Sequence, residues 1–169
     1  MFFARVVILA AAAVTSVVAT SVTIVNNCGD QIDPAIFPAA DNGLGGFALS
    51  AGSQNTVSLP DGYSGRIWGR EGCDSDGNCS SGQCSAGGVN CTGPSLTGPT
   101  IAQFTIDGFS SLDFFNPSVA DGFNLVTTIT PDSSCSTGAV SCTNAAGDGT
   151  GCGDTSTCAT GTSYTVSFC

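Results

Sequence analysis

Ten cysteines in a chain of 169 residues constrain the fold more than any other feature, and all ten follow residue 27. An even number of cysteines in a small domain is typical of secreted proteins held together by disulfide bridges. A zinc site is not expected, because the chain has no Cys-x-x-Cys pair and no histidine. We therefore predict up to five disulfides, whose connectivity the spacing alone does not determine.

The N-terminal segment, residues 1–19, predicts a secretory signal peptide. Arg5 precedes the apolar run Val6–Val14, and small residues lead to a plausible cleavage site after Ala19. A membrane anchor is the alternative, but the apolar run is shorter than the ~20 residues of a spanning helix. We expect residues 20–169 to form one domain, a monomer that is secreted to the extracellular space or the cell wall.

The charged residues exclude several partners and reactions. After residue 19 the chain has only two cations, Arg66 and Arg70, against 13 acidic residues, and such a surface repels nucleic-acid phosphates and anionic lipids. Because the chain lacks His and Lys, it cannot form a Ser-His-Asp triad, a Cys-His pair, a Schiff-base lysine or a P-loop. We expect no nucleic-acid partner, no membrane partner and no cofactor.

A calcium-binding loop is also not expected. The run Asp74–Asn78 has the alternating Asp and Asn residues that open such a loop. However, Ser85 stands where the twelfth loop position needs Glu, and two cysteines interrupt the segment. We predict no metal site.

Short runs of β-branched and aromatic residues predict an all-β fold, a sandwich or a barrel. They recur at roughly ten-residue spacing, and no segment after residue 19 shows sustained helical periodicity. Residues 131–162 differ, because they contain four cysteines and few bulky apolar side chains, so cross-links are expected to order them. The predicted strands are Ser21–Asn26, Gly46–Ser50, Asn55–Leu59, Gly65–Arg70, Ile101–Asp107, Phe123–Thr130 and Ser163–Phe168.

The most specific motif lies between Gly65 and Cys91 and runs GRIWGREGCDSDGNCSSGQCSAGGVNC. It resembles the signature of the thaumatin-like protein family. The opening VTIVNNC, the segment RIWGR and the run LDFFNPSVADGFN, followed by ITP and a cysteine pair, occur in the family's order, so the resemblance covers nearly all of residues 20–169. Gly77, Cys79, Gly82, Cys84, Gly87 and Cys91 match the signature, whereas Ser75, Ser81 and Gln83 depart from it.

This resemblance implies a thaumatin-like β-sandwich with disulfide-stapled loops and an acidic cleft associated with β-1,3-glucan binding. It also implies weak endo-β-1,3-glucanase activity in some members and antifungal action in others. The cysteine count of ten is similar to that of the small members of the family. The pairs implied are Cys28–Cys169, Cys73–Cys79, Cys84–Cys91, Cys135–Cys158 and Cys142–Cys152.

The family cleft is described by one arginine and four acids. Arg66 and Asp121 keep the family's residue types, but Gln103 and Asn116 stand where acids are expected, and the fourth acid has no assigned position. Glycoside hydrolysis usually needs two carboxyl groups, and an amide cannot transfer the proton. Asp121 and Asp113 are the catalytic candidates, although Asp113 lies three residues from Asn116 and therefore on the opposite face of a regular strand.

Trp68 is a candidate cleft residue that would form a sugar-stacking platform, although packing is the favoured interpretation for Trp68 and Arg70. Arg66, Trp68 and Arg70 alternate along one strand, which places them on the same face. Trp68 could then stack on a pyranose ring between two guanidinium groups. The alternative interpretation is cation–π packing, with each arginine paired to a nearby Asp.

Three functions remain open. We favour a secreted protein that binds β-1,3-glucan or a related wall polysaccharide with weak or no hydrolysis, in defence or wall remodelling. The second is an endo-β-1,3-glucanase that uses Asp121 and another carboxylate. The third is a disulfide-rich interaction scaffold with a vestigial cleft.

Overall fold

A computed structural model describes residues 19–96 and 98–169 as two five-stranded β-sheets. The predicted signal peptide lies outside these residues except for Ala19. In the described part of the chain, no helix is long and apolar enough to cross a membrane. The strands are β1 (Thr20–Asn26), β2 (Ala35–Phe37), β3 (Gln54–Leu59), β4 (Ser64–Trp68), β5 (Ile101–Thr105), β6 (Leu112–Ser118), β7 (Thr127–Pro131), β8 (Val140–Cys142), β9 (Ser156–Ala159) and β10 (Tyr164–Phe168).

The first sheet has the order β3-β1-β10-β7-β8 and brings the two ends of the domain together. Strands β1 and β10 are parallel neighbours, whereas the other pairs in this sheet are antiparallel. The Cys28–Cys169 disulfide joins the ends of these two strands and spans 141 residues of sequence. A bridge that closes a loop of this length stabilises the fold by about 4–5 kcal/mol in the chain-entropy model.

The second sheet has the order β2-β4-β5-β6-β9 and is antiparallel throughout. Its inner face packs on the first sheet, so alternate residues of each strand enter a shared core. The ring of Tyr164 on β10 contacts Phe104 on β5 and Phe115 on β6 edge-on, with centroids 5.4 and 5.1 Å away. The predicted all-β sandwich is therefore confirmed.

A smaller apolar cluster lies on the outer face of the second sheet. It contains Trp68 on β4, Ala35 on β2 and Ile101 on β5, together with the Cys84–Cys91 disulfide. These cysteines belong to residues 71–96 and 98–99, here called the covering loop. The covering loop therefore buries one half of this outer face and leaves the other half open.

The predicted strand at Gly46–Ser50 was wrong. Gly46 and Leu49 make only isolated bridges, because the chain here lies between residues 32–35 and the covering loop. Conversely, β2, β6, β8 and β9 were not among the predicted strands. Strand β6 contains Pro117 and the others have only three or four residues, so their local signals are weak.

The described residues contain five disulfides and no free cysteine. They join the same pairs that the family resemblance implies. In the segment 131–162, Cys135–Cys158 and Cys142–Cys152 attach the loops to β8 and β9. This agrees with the expectation that cross-links order a segment with few bulky apolar side chains.

Candidate functional site

A row of polar side chains crosses the open half of the outer face. Arg66 on β4 lies directly opposite Gln103 on β5, which lies opposite Asn116 on β6. Because residues in register share a face, all three side chains project outward. The Asn116 amide donates to Oε1 of Gln103 at 3.2 Å, so the two residues at the positions where the resemblance implies acids are bonded to each other.

This row forms the floor of a groove of about 490 Å³. Phe37 and Pro38 border it on the β2 side, and Phe114 and Thr155 lie towards β6 and β9. None of the described residues that line the groove is acidic. The full lining is Phe37, Pro38, Ser64, Gly65, Arg66, Gln103, Phe104, Thr105, Phe114, Asn116 and Thr155.

Asp121 reaches this site through an ion pair with Arg66. Its Oδ2 accepts a hydrogen bond from Nη1 of Arg66 at 2.6 Å, and the two side chains are 42% and 32% exposed. The loop that carries Asp121 lies so close to Gly98 that a Cβ there would fall 1.6 Å from the Asp121 carbonyl oxygen. The structure thus brings together Arg66, Gln103, Asn116 and Asp121. A guanidinium has five N–H donors, so Arg66 can bond Asp121 and a ligand hydroxyl together.

Trp68 does not belong to the groove, and its prediction as an exposed platform was wrong. The side chain is on the same face as Arg66, as strand alternation predicted, but it is fully buried beneath the covering loop. Its Nε1 donates to the carbonyl of Gly82 in that loop at 2.7 Å. Trp68 therefore anchors the covering loop and has no surface for a sugar ring.

Arg70 lies in the covered half as well. Its guanidinium is fully buried and donates to three backbone carbonyls, those of Asp33, Gly88 and Val89, at 2.7–2.8 Å. Burial lowers the pKa of Arg70, and the negative charge of Asp33 opposes that shift. Arg70 holds the covering loop against residues 33–46 and does not flank the groove.

Asp113, the second catalytic candidate, is also placed away from the groove. It faces the core and is fully buried, on the opposite side of β6 from Asn116. Its carboxylate accepts hydrogen bonds from the backbone N–H of Asp107 and the hydroxyls of Thr160 and Tyr164. A buried carboxylate with these partners has no access to substrate, so the assignment of Asp113 as catalytic was wrong.

The hydroxyl of Tyr164 belongs to the buried hydrogen-bond network around Asp113 and stays protonated. Its hydroxyl donates to Oδ2 of Asp113 at 2.9 Å. Burial, and then the negative charge of Asp113, raise the pKa of Tyr164 far above its usual range. Tyr164 therefore acts as a hydrogen-bond donor to Asp113 throughout the physiological pH range.

Two aromatic residues at the groove were missed by sequence reasoning. Phe37 and Phe114 are half-buried and line opposite sides of the polar row. A signal existed for Phe114, because it precedes Asn116 by two residues and so shares its face. For Phe37 the signal was weaker, since it ends a three-residue strand whose pairing with β4 is not visible locally.

A second groove of about 650 Å³ lies between residues 28–33 and the covering loop. Asp30, Asp33 and Glu71 line it. The Glu71 carboxylate is already bonded to the Ser81 hydroxyl and the Asn124 amide, at 2.7 and 3.1 Å. Across residues 19–96 and 98–169, no three His, Cys, Asp or Glu side chains are grouped so that they could hold a metal ion.

The described acids include one further carboxylate beside the first groove. Asp154 is exposed and immediately precedes the groove residue Thr155. The backbone of this segment pairs with β6, because the N–H of Gly153 donates to the carbonyl of Pro117 at 2.8 Å. Asp154 therefore lies at the rim near Asn116, in the C-terminal part where sequence reasoning could not place an acid.

The arrangement is suited to a neutral, hydroxyl-rich ligand. Amide groups both donate and accept, Arg66 donates, and Ser64 and Thr105 add hydroxyls to the lining. Phe37 and Phe114 offer apolar ring surface beside these groups. Polar groups placed in this way fix the orientation of a bound ligand.

Comparisons with known proteins agree with the fold and the cysteine pattern. The Thaumatin family model matches residues 26–153. The chain is 37% identical over 163 residues to thaumatin-like pathogenesis-related protein 3 of Avena sativa, covering 89% of this chain and 88% of that protein. It is also 37% identical over 124 residues to pathogenesis-related protein 1A/1B of Hordeum vulgare, covering 71% of this chain and 66%, just under two thirds, of the barley protein.

Solved structures show the same architecture. The thaumatin-like xylanase inhibitor TLXI superposes with a TM-score of 0.69 at 25% identity, covering 88% of this chain and 98% of the inhibitor. The protein elicitor MoHrip2 from Magnaporthe oryzae superposes with a TM-score of 0.56 at 17% identity, a likeness of fold alone. With the family model, the oat relative and the five disulfides in agreement, the chain belongs to the thaumatin family.

Proposed function

We propose that this protein binds β-1,3-glucan of cell walls in the open groove, in a defence role, with weak or no hydrolysis. The observation that carries the proposal is the Arg66–Gln103–Asn116 row between Phe37 and Phe114. Similarity to thaumatin-like pathogenesis-related proteins supports the defence role. The disulfide-rich fold and the N-terminal segment support secretion to the wall or extracellular space.

The lining supports binding of a neutral polysaccharide over a charged ligand. The site combines one guanidinium with one carboxylate, Arg66 with Asp121, so the pair carries no net charge. The amides of Gln103 and Asn116 can each donate to and accept from sugar hydroxyls. The chain carries a net charge of −10, which repels anionic polymers and leaves a neutral glucan as the favoured occupant.

Weak or absent hydrolysis follows from the same residues. A glycosidase needs one protonated and one ionised carboxyl group at about 5–10 Å from each other across the scissile bond. Asp121 is the carboxylate bonded to Arg66, and the two neighbouring positions on the groove floor hold amides. An amide can orient the sugar but cannot transfer the proton.

Hydrolysis remains the alternative function, and the position of Asp154 favours it. This exposed carboxylate lies at the rim beside Thr155, whereas Asp121 joins the site through Arg66 on β4. If the two acids face a glucan from opposite sides, Asp154 would be the general acid and Asp121 the second carboxylate. This hypothesis predicts that sugar release needs both acids, so that replacing one of them abolishes it.

A role in binding another protein is the third candidate. One similar solved structure is that of a thaumatin-like xylanase inhibitor. On this chain, Leu96 in the covering loop is 67% exposed and offers an apolar contact outside the groove. Under this hypothesis the protein would bind a wall-degrading enzyme and not the polysaccharide itself.

One experiment separates the three candidates. The purified, disulfide-intact protein is mixed with insoluble β-1,3-glucan, and both the pelleted fraction and the released sugar are measured in one tube. The variants are Asp121→Asn and Asp154→Asn. Asp76→Asn is the matched control, because Asp76 is exposed in the covering loop and does not line the groove. We expect pelleting with little or no sugar release for the native protein and the control.

Other outcomes contradict the proposal in distinct ways. Rapid release that is lost in Asp121→Asn or Asp154→Asn but kept in Asp76→Asn would show a hydrolase. Failure to pellet would contradict glucan binding and favour the protein-binding scaffold. Inhibition of an added xylanase by the same preparation would then support that third function.

A further inference from the structure

We propose that the β5–β6 hairpin extends the polysaccharide site, with Phe109 at its tip as an outer platform that stacks on a sugar ring beyond Phe114. The inference rests on the proposed function and names where a longer glucan chain leaves the groove. Phe109 and Leu96 are the large apolar side chains exposed in the described structure, at 83% and 67%. A single exposed phenylalanine needs no explanation by itself, but the hairpin that carries it does.

The hairpin backbone is unusual. Asp107, Ser110 and Ser111 have φ angles of 48°, 60° and 53°, in the left-handed region that residues with a side chain rarely adopt. Three such residues within five positions persist only where the surrounding structure holds them in place. Strained backbone of this kind concentrates at binding sites, and here it presents Phe109 to solvent.

The buried carboxylate of Asp113 holds this conformation. Its Oδ1 accepts from the backbone N–H of Asp107 at 2.9 Å, and Thr160, which donates to the same oxygen, also donates its N–H to the Ser111 carbonyl at 3.2 Å. The hairpin tip is therefore bonded to the Asp113 carboxylate directly at Asp107 and through Thr160 at Ser111. Asp113 is a positioning residue for Phe109.

The hairpin is continuous with the groove. A Cβ on Gly108 would lie 3.1 Å from the Phe114 ring and 3.2 Å from the Thr105 methyl group, and both of these residues line the groove. Glycine thus lets the hairpin pack directly against the groove's end. Phe109 directly follows Gly108, so it is one residue from a position packed against the groove residue Phe114, and its ring is exposed.

The chemistry of this extension favours a sugar chain as its occupant. An exposed ring next in the chain to Gly108, which packs on Phe114, adds a second aromatic surface at this end of the groove, and a pyranose presents an apolar face to such rings. Anionic lipid or nucleic acid is disfavoured, because Asp107 lies in the hairpin and the chain has only three cations. A neutral polysaccharide that fills the groove needs only to continue over Gly108 to reach Phe109.

The test measures affinity for β-1,3-gluco-oligosaccharides of increasing length, by calorimetry, with the native protein and three variants. Phe109→Ala should weaken binding of long oligosaccharides about three- to tenfold and leave short ones unchanged. Phe109→Trp should retain or improve the affinity for long ones. Leu96→Ala is the matched control, because Leu96 is exposed in the covering loop and outside the groove, and it should change neither.

The outcomes distinguish this inference from the proposed function. If the native protein gains affinity with length but Phe109→Ala gains it equally, the outer platform is overturned and the groove stands. An equal loss for short and long oligosaccharides in Phe109→Ala would place Phe109 inside the groove and also overturn the inference. If the native protein binds no oligosaccharide of any length, both the proposed function and this inference are contradicted.

Discussion

The two halves of the second sheet's outer face differ in what covers them, although the same strands build both. In the open half, Arg66 and its neighbours on β5 and β6 face solvent and line the groove. In the covered half, Trp68 and Ile101 lie one alternate position further along β4 and β5, under the covering loop. Strand alternation determines which side a residue faces, and the loop determines whether that side is a binding surface or a second core.

The two arginines of the domain show the energetic consequence. Arg66 makes one partly exposed ion pair with Asp121, which is worth at most about 1 kcal/mol to folding. Arg70 is fully buried and donates to one buried and two partly buried carbonyl groups. We infer that the open half is available for ligand recognition, whereas the covered half stabilises the fold.

Truncation of aromatic residues should separate the two halves most strongly. Trp68→Ala should lower the free energy of unfolding by about 3–5 kcal/mol, because it leaves a cavity and removes the bond to Gly82. Phe114→Ala, in the open half, should cost little stability but weaken glucan binding several-fold. Urea unfolding and the pelleting assay test both changes. A Trp68→Ala variant that kept full stability and lost glucan binding would contradict this difference between the covered and the open half.

The arginines give the next largest difference. Arg70→Ala should lower the free energy of unfolding by about 3 kcal/mol, since it leaves a cavity and removes the donors to one buried and two partly buried carbonyls. Arg66→Ala should lower it by at most about 1 kcal/mol and instead weaken glucan binding. Urea unfolding of the two variants under identical conditions makes the comparison. Equal stability losses would show that the ion pair with Asp121 is structural.

The aspartates flanking Asn116 provide a smaller but similar contrast. Asp113→Asn should cost about 1–3 kcal/mol of stability, because the amide cannot accept from Asp107, Thr160 and Tyr164 as the carboxylate does. Asp121→Asn should leave the melting temperature nearly unchanged and alter only the groove. Calorimetric melting curves measure both. A large loss for Asp121→Asn alone would reverse these roles.

The smallest expected effect is a loss of stability of the covering loop at acidic pH. Hydrogen bonds from the side chain and backbone of Asn78 lower the pKa of Asp74 below its usual value. A carboxyl group with a lowered folded-state pKa contributes stability above its unfolded pKa, about 3.9, and loses it as the pH falls through the folded pKa. Asp74→Asn should therefore reduce the acid dependence of protection in residues 71–99. Hydrogen exchange at pH 5 and pH 3 measures it, and an unchanged dependence would contradict this role for Asp74.

Much of the fold could be predicted from the sequence, because it depends on features that repeat along the chain. Alternating β-branched residues predicted β1, β3, β4, β5, β7 and β10, and the family motifs implied the pairs that the five disulfides join. Strand periodicity also predicted that Asp113 and Asn116 face opposite sides of β6.

The site could be predicted only in part, because its limits depend on tertiary contacts. Periodicity placed Trp68 beside Arg66 but contained no information about the loop that closes over it. Phe37 enters the groove because β2 pairs with β4, and Asp154 reaches the rim because its segment pairs with β6. Neither pairing has a local signal in the sequence. The loops therefore determine which residues of a sheet face remain exposed to a ligand.

The most direct test of the account is a map of backbone amide chemical shifts during titration with a β-1,3-gluco-oligosaccharide. We predict saturable shifts at Arg66, Gln103, Asn116 and Phe114, with those at Trp68, Arg70 and the covering loop unchanged. Shifts concentrated around Asp30 and Glu71 in the second groove, or no shifts at any ligand concentration, would contradict the claim that the open half is the binding surface.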